Sequence, residues 1–128
     1  MSLYTLSLST LHFLSNLYLP NLQELFLYDN QITDISPLSS LTNLTYLNIS
    51  YNKIIDISPL SHLTNLTHLD ITHNNISDIS SLSHLIDLKA LYLYDNNQLI
   101  HTQVKKLRTQ SPHCVIFFHS IHSLKGVL

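Results

Sequence analysis

The sequence predicts a right-handed α/β solenoid with short parallel strands on its concave face and 3₁₀ or short helical turns on its convex face. A 22-residue period runs through the chain and places leucine at Leu25, Leu47, Leu69 and Leu91. In Leu44–Ile49 alternate residues are expected to point inward, Leu47 and Ile49 among them, which is the period of a strand. Segments such as Asp34–Ser39 follow the predicted strands, and their serine, aspartate and proline residues favour tight turns.

The period also predicts how the chain is organised. We expect a single domain over residues 1–128, with a degenerate N-terminal repeat or cap at 1–20, four repeats of 22 residues at 21–108 and a C-terminal strand and tail at 109–128. In the fourth repeat Gln98 stands where the others have isoleucine, and Leu99 is expected to enter the core instead. The pattern then predicts a helix over Thr102–Arg108 and a last strand over Cys114–Phe118.

A recurring asparagine marks the point where each repeat turns away from the sheet. The column consists of Asn30, Asn52, Asn74 and Asn96. An amide can donate to carbonyl groups of one repeat and accept an N–H from another. We therefore expect these asparagines to satisfy backbone groups in turns that are otherwise apolar.

Composition and charge narrow the classes of function. Charged residues are 11% of the chain and the net charge is −2 with histidine neutral, so nothing favours binding to nucleic acid or to acidic membranes. No apolar run is long enough to cross a bilayer. Cys114 is the only cysteine, so it has no disulfide partner in the chain, and we expect it to be a buried core residue. With no recognisable signal peptide, these features favour a cytoplasmic location.

The repeat unit carries a family resemblance. It reads L-x-x-L-x-L/I-x-x-N-x-I/L, as in Leu44–Ile54, which is a leucine-rich-repeat pattern. The segments D-I-S-P-L-S-x-L-T-N-L and N-I-S-D-I-S-S-L-S-H-L resemble the 22-residue repeats of internalins, which are surface proteins of bacteria. They are also similar to the repeats of the phosphatase-1 regulatory subunit family. The resemblance covers roughly Asn21–Leu107. Repeat arrays of this kind usually bind a partner, so we expect a protein-interaction module.

The variable strand positions are the candidates for that binding. Stacked in register, they form four columns on the concave face in which tyrosine, phenylalanine, histidine and acidic residues dominate. Aromatic side chains with a polar tip are common anchors of protein interfaces, although strands also favour them for cross-strand packing. The predicted partner-binding residues are Glu24, Phe26, Tyr28, Asp29, Tyr46, Asn48, Tyr51, His68, Asp70, His73, Tyr92, Tyr94 and Asp95.

Other chemistry has little support. His68 and Asp70 are two residues apart on one predicted strand, with His73 just beyond, but no designated third histidine faces them. We therefore expect no metal site. The chain has one glycine and no nucleophile or phosphate-binding motif, so we expect no catalytic residues and no cofactor.

Two alternatives remain to a module that binds an unidentified protein through its concave face. The first is a regulatory subunit that docks on a phosphatase-like enzyme. The second is a self-assembling or vestigial repeat fragment with no dedicated ligand. The N-terminal unit is rich in apolar residues, and a solenoid needs polar caps, so a homo-oligomer through the solenoid ends is expected in this second case. The apolar residues at that end are Leu11, Phe13, Leu14, Leu17 and Leu19.

Overall fold

The strands form one parallel sheet in chain order. The computed structural model describes residues 11, 12, 14, 19–99 and 101–119. Within them the strands are β1 (Glu24–Phe26), β2 (Tyr46–Asn48), β3 (His68–Asp70), β4 (Ala90–Tyr92) and β5 (Val115–Phe117). Each strand pairs with the next along the chain. This architecture, an open parallel sheet connected by short turns, confirms the predicted repeat solenoid.

The register of the sheet follows the sequence period. Leu25 pairs with Leu47, Leu47 with Leu69, and Leu69 with Leu91, so partners in the first four strands are one repeat apart. The central residue of each strand is a buried leucine or isoleucine, and its neighbours on either side point away from the core. The apolar column therefore builds the core, and the residues flanking it build the opposite face of the sheet.

The returning half of each repeat is a 3₁₀ helix, as predicted. These helices are Ser36–Ser40, Ser58–His62 and Ser80–His84. Proline occupies the first turn of the first two, and Ser81 replaces it in the third without changing the length of the helix. Before each helix an aspartate accepts the N–H of the serine two residues on, and this hydrogen bond lowers the pKa of Asp34 and Asp78.

The fourth repeat ends in an α-helix, α1 (His101–Gln110), instead of a 3₁₀ helix. Val104 and Leu107 are its buried residues. Leu99 is buried and Gln98 is exposed, which confirms that Leu99 enters the core one residue after the position that isoleucine fills in the other repeats. Gln103 ties the helix to the third repeat, because its side chain donates to Ser77 O at 2.7 Å and accepts from Ile79 N at 3.2 Å. The helix is longer than the predicted Thr102–Arg108, and the last strand is shorter than Cys114–Phe118.

The asparagine column forms a continuous hydrogen-bonded ladder. Asn52 Nδ2 donates to Ile49 O of its own repeat and to Leu27 O of the preceding one, each at 3.0 Å, and Asn52 Oδ1 accepts from Ile32 N. Asn74 and Asn96 repeat this arrangement one and two repeats further along. The prediction that these amides join neighbouring repeats is confirmed, and the four asparagines are buried.

A second set of bonds joins the repeats at the entry to each strand. Asn43 Nδ2 donates to Pro20 O, and Asn65 Nδ2 donates to Thr42 O of the preceding repeat. Thr67 Oγ1 donates to Thr45 O at 3.0 Å. Neighbouring repeats are thus held together at both ends of the strands, which favours a rigid sheet between them.

The N-terminal end is helical where it is described. Residues 11, 12 and 14 are helical, in the segment for which a degenerate repeat or a cap is predicted. Leu11 and Leu14 are buried in the same core as the repeats, and His12 lies close enough to Asp34 to contribute to the lowered pKa of its carboxyl. Helical apolar residues therefore pack on the first repeat. Phe13 and Leu17, which we expected at an open end, lie outside the described residues.

Cys114 corrects another expectation. It is half-buried against the core and not fully enclosed, because it stands at the start of the edge strand β5. Partial burial raises the pKa of its thiol. In the described part of the chain, no helix is long and apolar enough to cross a membrane.

Candidate functional site

The predicted binding residues lie on the surface of the sheet opposite the core. None of the thirteen is buried: Glu24, Tyr28, Asp29, Tyr51, His73 and Asp95 are exposed, and the other seven are half-buried. Ser50 occupies the position in its repeat that Tyr28 and Tyr94 occupy in theirs, but its side chain does not contribute to the exposed surface. It is buried, and its hydroxyl donates to Asn48 Oδ1 at 2.6 Å.

An aromatic row crosses the first three strands of this face. The ring centroids of Phe26 and Tyr46 are 5.2 Å apart, and those of Tyr46 and His68 are 5.5 Å apart with the planes within 15°. Thr67 Oγ1 lies 2.9 Å from His68 Nδ1, which holds the imidazole in its stacked orientation. We call Phe26, Tyr46 and His68 the N-terminal aromatic row. Its rings present an apolar surface that the fold has already ordered.

A second aromatic group lies on the last two strands. Tyr92 and Phe117 stack with centroids 4.6 Å apart and planes within 6°. Tyr94 contacts Phe117 at 6.5 Å and His119 at 4.9 Å. Tyr92, Tyr94, Phe117 and His119 form what we call the C-terminal aromatic group. Phe117 and His119 were not among the predicted binding residues because they fall outside the 22-residue period, although the strand predicted over Cys114–Phe118 was an available signal for Phe117.

The two groups are separated by a small residue. In the register of the sheet, Ala90 faces His68 on one side and Val115 on the other, so no ring fills this position. Val115 remains 57% exposed, which leaves an apolar edge beside the C-terminal aromatic group. The face therefore has two aromatic patches, with Ala90 between them.

The turn after each strand has an unexpected backbone conformation. Asp29, Tyr51, His73 and Asp95 all have positive φ, between 55° and 60°. Aspartate and histidine are enriched among the non-glycine residues that adopt this left-handed region, but tyrosine is unusual there. Tyr51 and His73 stack with ring centroids 4.8 Å apart, and Tyr51 remains 52% exposed. The turn thus projects the two rings from the rim of the sheet at some cost in backbone strain.

A prediction follows for the strain at Tyr51. Glycine adopts positive φ freely and alanine does not, so Tyr51→Gly should be more stable than Tyr51→Ala by about 1–2 kcal/mol in the free energy of unfolding. Both variants lose the same stack on His73. Urea denaturation of the two proteins measures the difference.

Tyr46, which is in an ordinary strand, provides the control. There glycine should be less stable than alanine, by roughly 0.5–1 kcal/mol, because glycine weakens a strand. The same ranking of glycine and alanine at both positions would contradict the strained-turn interpretation.

Two polar residues of the face are used by the backbone. Asn48 Oδ1 accepts the N–H of Ser50 at 3.0 Å, and Asp70 Oδ1 accepts the N–H of Thr72 at 2.9 Å. These bonds fix the start of the turn in the second and third repeats. Asn48 and Asp70 therefore help to shape the rim, and each is also part of the exposed surface.

Clefts lie at the edge of the sheet and on the returning side, which is the side of the solenoid that carries the 3₁₀ helices. The larger, of about 530 Å³, is lined by polar residues that follow the strands, including Lys53, His73, Asn75 and Asp95. A smaller one, of about 290 Å³, lies between α1 and the third 3₁₀ helix and includes Asp78, Gln103 and Lys106. Among the described residues no group of three or more histidine, cysteine, aspartate or glutamate side chains could hold a metal ion. His68 and Asp70 therefore lack further described ligands.

The repeat geometry and the sequence comparison define the class of protein. A family model for leucine-rich repeats, in two copies, matches residues 20–62 and 64–109. The chain belongs to the leucine-rich-repeat family. Domains of this class are generally protein-interaction modules that use the extended face of a repeat array.

The chain is similar to solved structures of bacterial leucine-rich-repeat proteins, including two internalins. An internalin of Listeria monocytogenes is 37% identical with a TM-score of 0.72, and covers 80% of this chain. Internalin C2 of the same species is 43% identical with a TM-score of 0.67 over 78% of the chain. A leucine-rich-repeat protein of Leptospira interrogans is 30% identical with a TM-score of 0.69 over 77%. The chain spans 29%, 43% and 26% of these three proteins, respectively. No curated protein matches it.

Proposed function

We propose that this chain binds a protein partner through the aromatic surface of its sheet. The observation that carries the proposal is the pair of ordered aromatic patches, the N-terminal aromatic row and the C-terminal aromatic group, on the face that the solenoid leaves open. Partly exposed tyrosine and phenylalanine side chains are enriched at the centres of protein interfaces, where they bury much area and lose little rotamer entropy.

Rigidity supports the proposal. Stacking already fixes the orientations of Tyr46, His68 and Tyr92, and both ends of the strands are tied to neighbouring repeats. Binding of a partner to this face therefore orders few further side chains. Because the entropy cost of binding is then small, more of the contact energy contributes to affinity.

The experiment compares capture of a partner by three forms of the full chain. Wild type, a Tyr46→Ala/Tyr92→Ala variant and a His62→Ala/His84→Ala variant are immobilised and exposed to a cell lysate, and captured proteins are quantified by mass spectrometry. His62 and His84 are exposed on the returning side, away from the aromatic face. Circular dichroism verifies that all three forms are folded.

We expect the tyrosine variant to recover at least ten-fold less of the partner, because each central aromatic anchor typically contributes about 2 kcal/mol or more. The histidine variant should capture as much as wild type. Equal capture by all three forms, or a loss confined to the histidine variant, would overturn the proposal. If the captured protein is a phosphatase-like enzyme, the alternative of a regulatory subunit is the specific form of this function.

The self-assembling alternative makes a different prediction. If it is correct, light scattering should detect an oligomer of the wild-type chain. The oligomer should persist in the Tyr46→Ala/Tyr92→Ala variant and dissociate when Phe13 and Leu17 are replaced by polar residues. An oligomer of that kind, with no partner captured, would replace the proposed function.

A further inference from the structure

The fixed charges of the aromatic face all have one sign. The four columns of this face contain four carboxylates and, with histidine neutral, no cationic side chain in the described strands and turns. These residues are Glu24, Asp29, Asp70 and Asp95. They are half of the eight acidic residues of the chain, although the net charge of the whole protein is only −2. The face is therefore more acidic than the composition suggests.

The cationic residues lie elsewhere. Lys105, Lys106 and Arg108 are in α1, which packs on the returning side, and Arg108 donates to Ile116 O. Lys89 precedes β4. Lys53 follows the turn of the second repeat and lines the polar cleft that also contains His73 and Asp95, so both lysines stand at the borders of the face. In the described part of the chain, the segregation leaves an acidic aromatic surface with lysine only at its borders. Lys125 lies outside the described residues.

The carboxylates alternate with aromatic rings. Glu24 pairs with Tyr46 in the sheet register, and Asp70 pairs with Tyr92, so each carboxylate lies one strand away from a ring, about 4.8 Å between neighbouring backbones. Asp29 and Asp95 flank the Tyr51–His73 stack in the column of turn residues. A cation placed between such groups pairs with the carboxylate and also lies over the electron-rich face of the ring.

We propose, building on the proposed function, that this surface recognises a lysine- and arginine-rich segment of its protein partner. Arginine fits best, because its planar guanidinium can stack on tyrosine while it hydrogen-bonds a carboxylate. The acidic residues are spread over three of the first four repeats, and the stacked rings follow the same direction. An extended basic segment that crosses the strands contacts several of these pairs in turn.

The direct test uses a fluorescein-labelled ten-residue peptide that alternates arginine and serine, and a second peptide with glutamate in place of arginine. Fluorescence anisotropy reports binding to the full chain at about 50 mM and about 300 mM salt, since higher ionic strength screens exposed charges. We expect measurable binding of the arginine peptide, none of the glutamate peptide, and weaker binding at the higher salt concentration.

Matched charge variants locate the binding surface. Asp29→Asn/Asp95→Asn removes two carboxylates of the face, and asparagine tolerates their positive φ. Asp34→Asn/Asp56→Asn changes the net charge equally on the returning side, where an amide oxygen can still accept the serine N–H. We expect the first variant to bind the arginine peptide about five- to twenty-fold more weakly, the size of two exposed ion pairs, and the second to stay within about two-fold of wild type.

The outcomes separate this inference from the proposed function. Equal weakening in both charge variants shows that only net charge matters and overturns the inference. So does binding of both peptides with similar affinity. If neither peptide binds but Tyr46→Ala/Tyr92→Ala still abolishes capture of a partner, the proposed function is supported and the inference that the partner presents a basic segment is wrong. If the chain instead associates with itself and the face variant disrupts that association, a second copy is the occupant.

Discussion

Replacing Asn74 with alanine is expected to lower the free energy of unfolding by about 2–4 kcal/mol. The reason lies in how the ladder shares its partners. Asn74 Oδ1 accepts the buried N–H of Ile54 at 3.0 Å, and no other described acceptor is bonded to that group. The carbonyls of Ile49 and Ile71 each keep a second donor, from Asn52 and Asn96, so the orphaned N–H accounts for most of the cost. Urea denaturation followed by circular dichroism measures it.

The neighbouring asparagine is the control. Asn75 is exposed, and its backbone N–H donates to Ile54 O regardless of its side chain. Asn75→Ala should therefore change the free energy of unfolding by no more than about 0.5 kcal/mol. Similar losses in the two variants would mean that the ladder is not a main source of stability.

The second large effect is expected at Ile54. Its side chain is completely buried, at 0% exposure, while that of the adjacent Ile55 is 64% exposed. Ile54→Ala leaves a cavity between stacked repeats and should cost about 2–5 kcal/mol, because a close-packed interior collapses only partly around lost atoms. Thermal and urea denaturation of the variant report the loss.

Ile55→Ala makes the same chemical change one residue away. With its side chain largely in solvent, it should leave stability within about 0.5 kcal/mol of wild type. A cost at Ile55 comparable to that at Ile54 would show that the two side chains are not divided between core and solvent as described.

Most of the fold was predictable from the sequence because it repeats. A residue that recurs every 22 positions meets its equivalents in neighbouring strands, so the register of Leu25, Leu47, Leu69 and Leu91 follows from spacing alone. The roles of the asparagines and of Pro37 and Pro59 were equally accessible, because an amide in an apolar turn and a proline in a first helical turn each have few favourable places.

Beyond the last 22-residue repeat, the strand register and the residues of the aromatic face could no longer be predicted from the period. Leu91 pairs with Ile116, three residues beyond the repeat spacing, because α1 replaces a shorter 3₁₀ helix. Phe117 and His119 therefore join the aromatic face without any signal in the columns. The helical conformation at residues 11, 12 and 14 could not be predicted from spacing for a related reason: an apolar segment fits a degenerate repeat and a helical cap equally well.

The candidate surface was predicted as a set of residues, and its geometry was not. Sequence spacing placed Tyr46, His68 and Tyr92 on one face, but only the tertiary structure shows that His68 stacks on Tyr46 whereas Tyr92 stacks on Phe117. Ring contacts depend on rotamers and on the twist between strands, which spacing does not specify. Whether these residues bind a partner stays a prediction until the capture experiment is done.

The sequence by itself determined the repeat, the sheet order, the core and the identity of the exposed columns, because each depends only on periodicity and on the burial of apolar groups. The tertiary structure decided the rest: the positive φ at Tyr51 and His73, the two separate aromatic patches, and the contribution of β5 to the second patch. These features arise where a local conformation is imposed by neighbouring repeats. At Tyr51, ladder bonds and packing outweigh the backbone preference of tyrosine, and no property of the residue alone reports that balance.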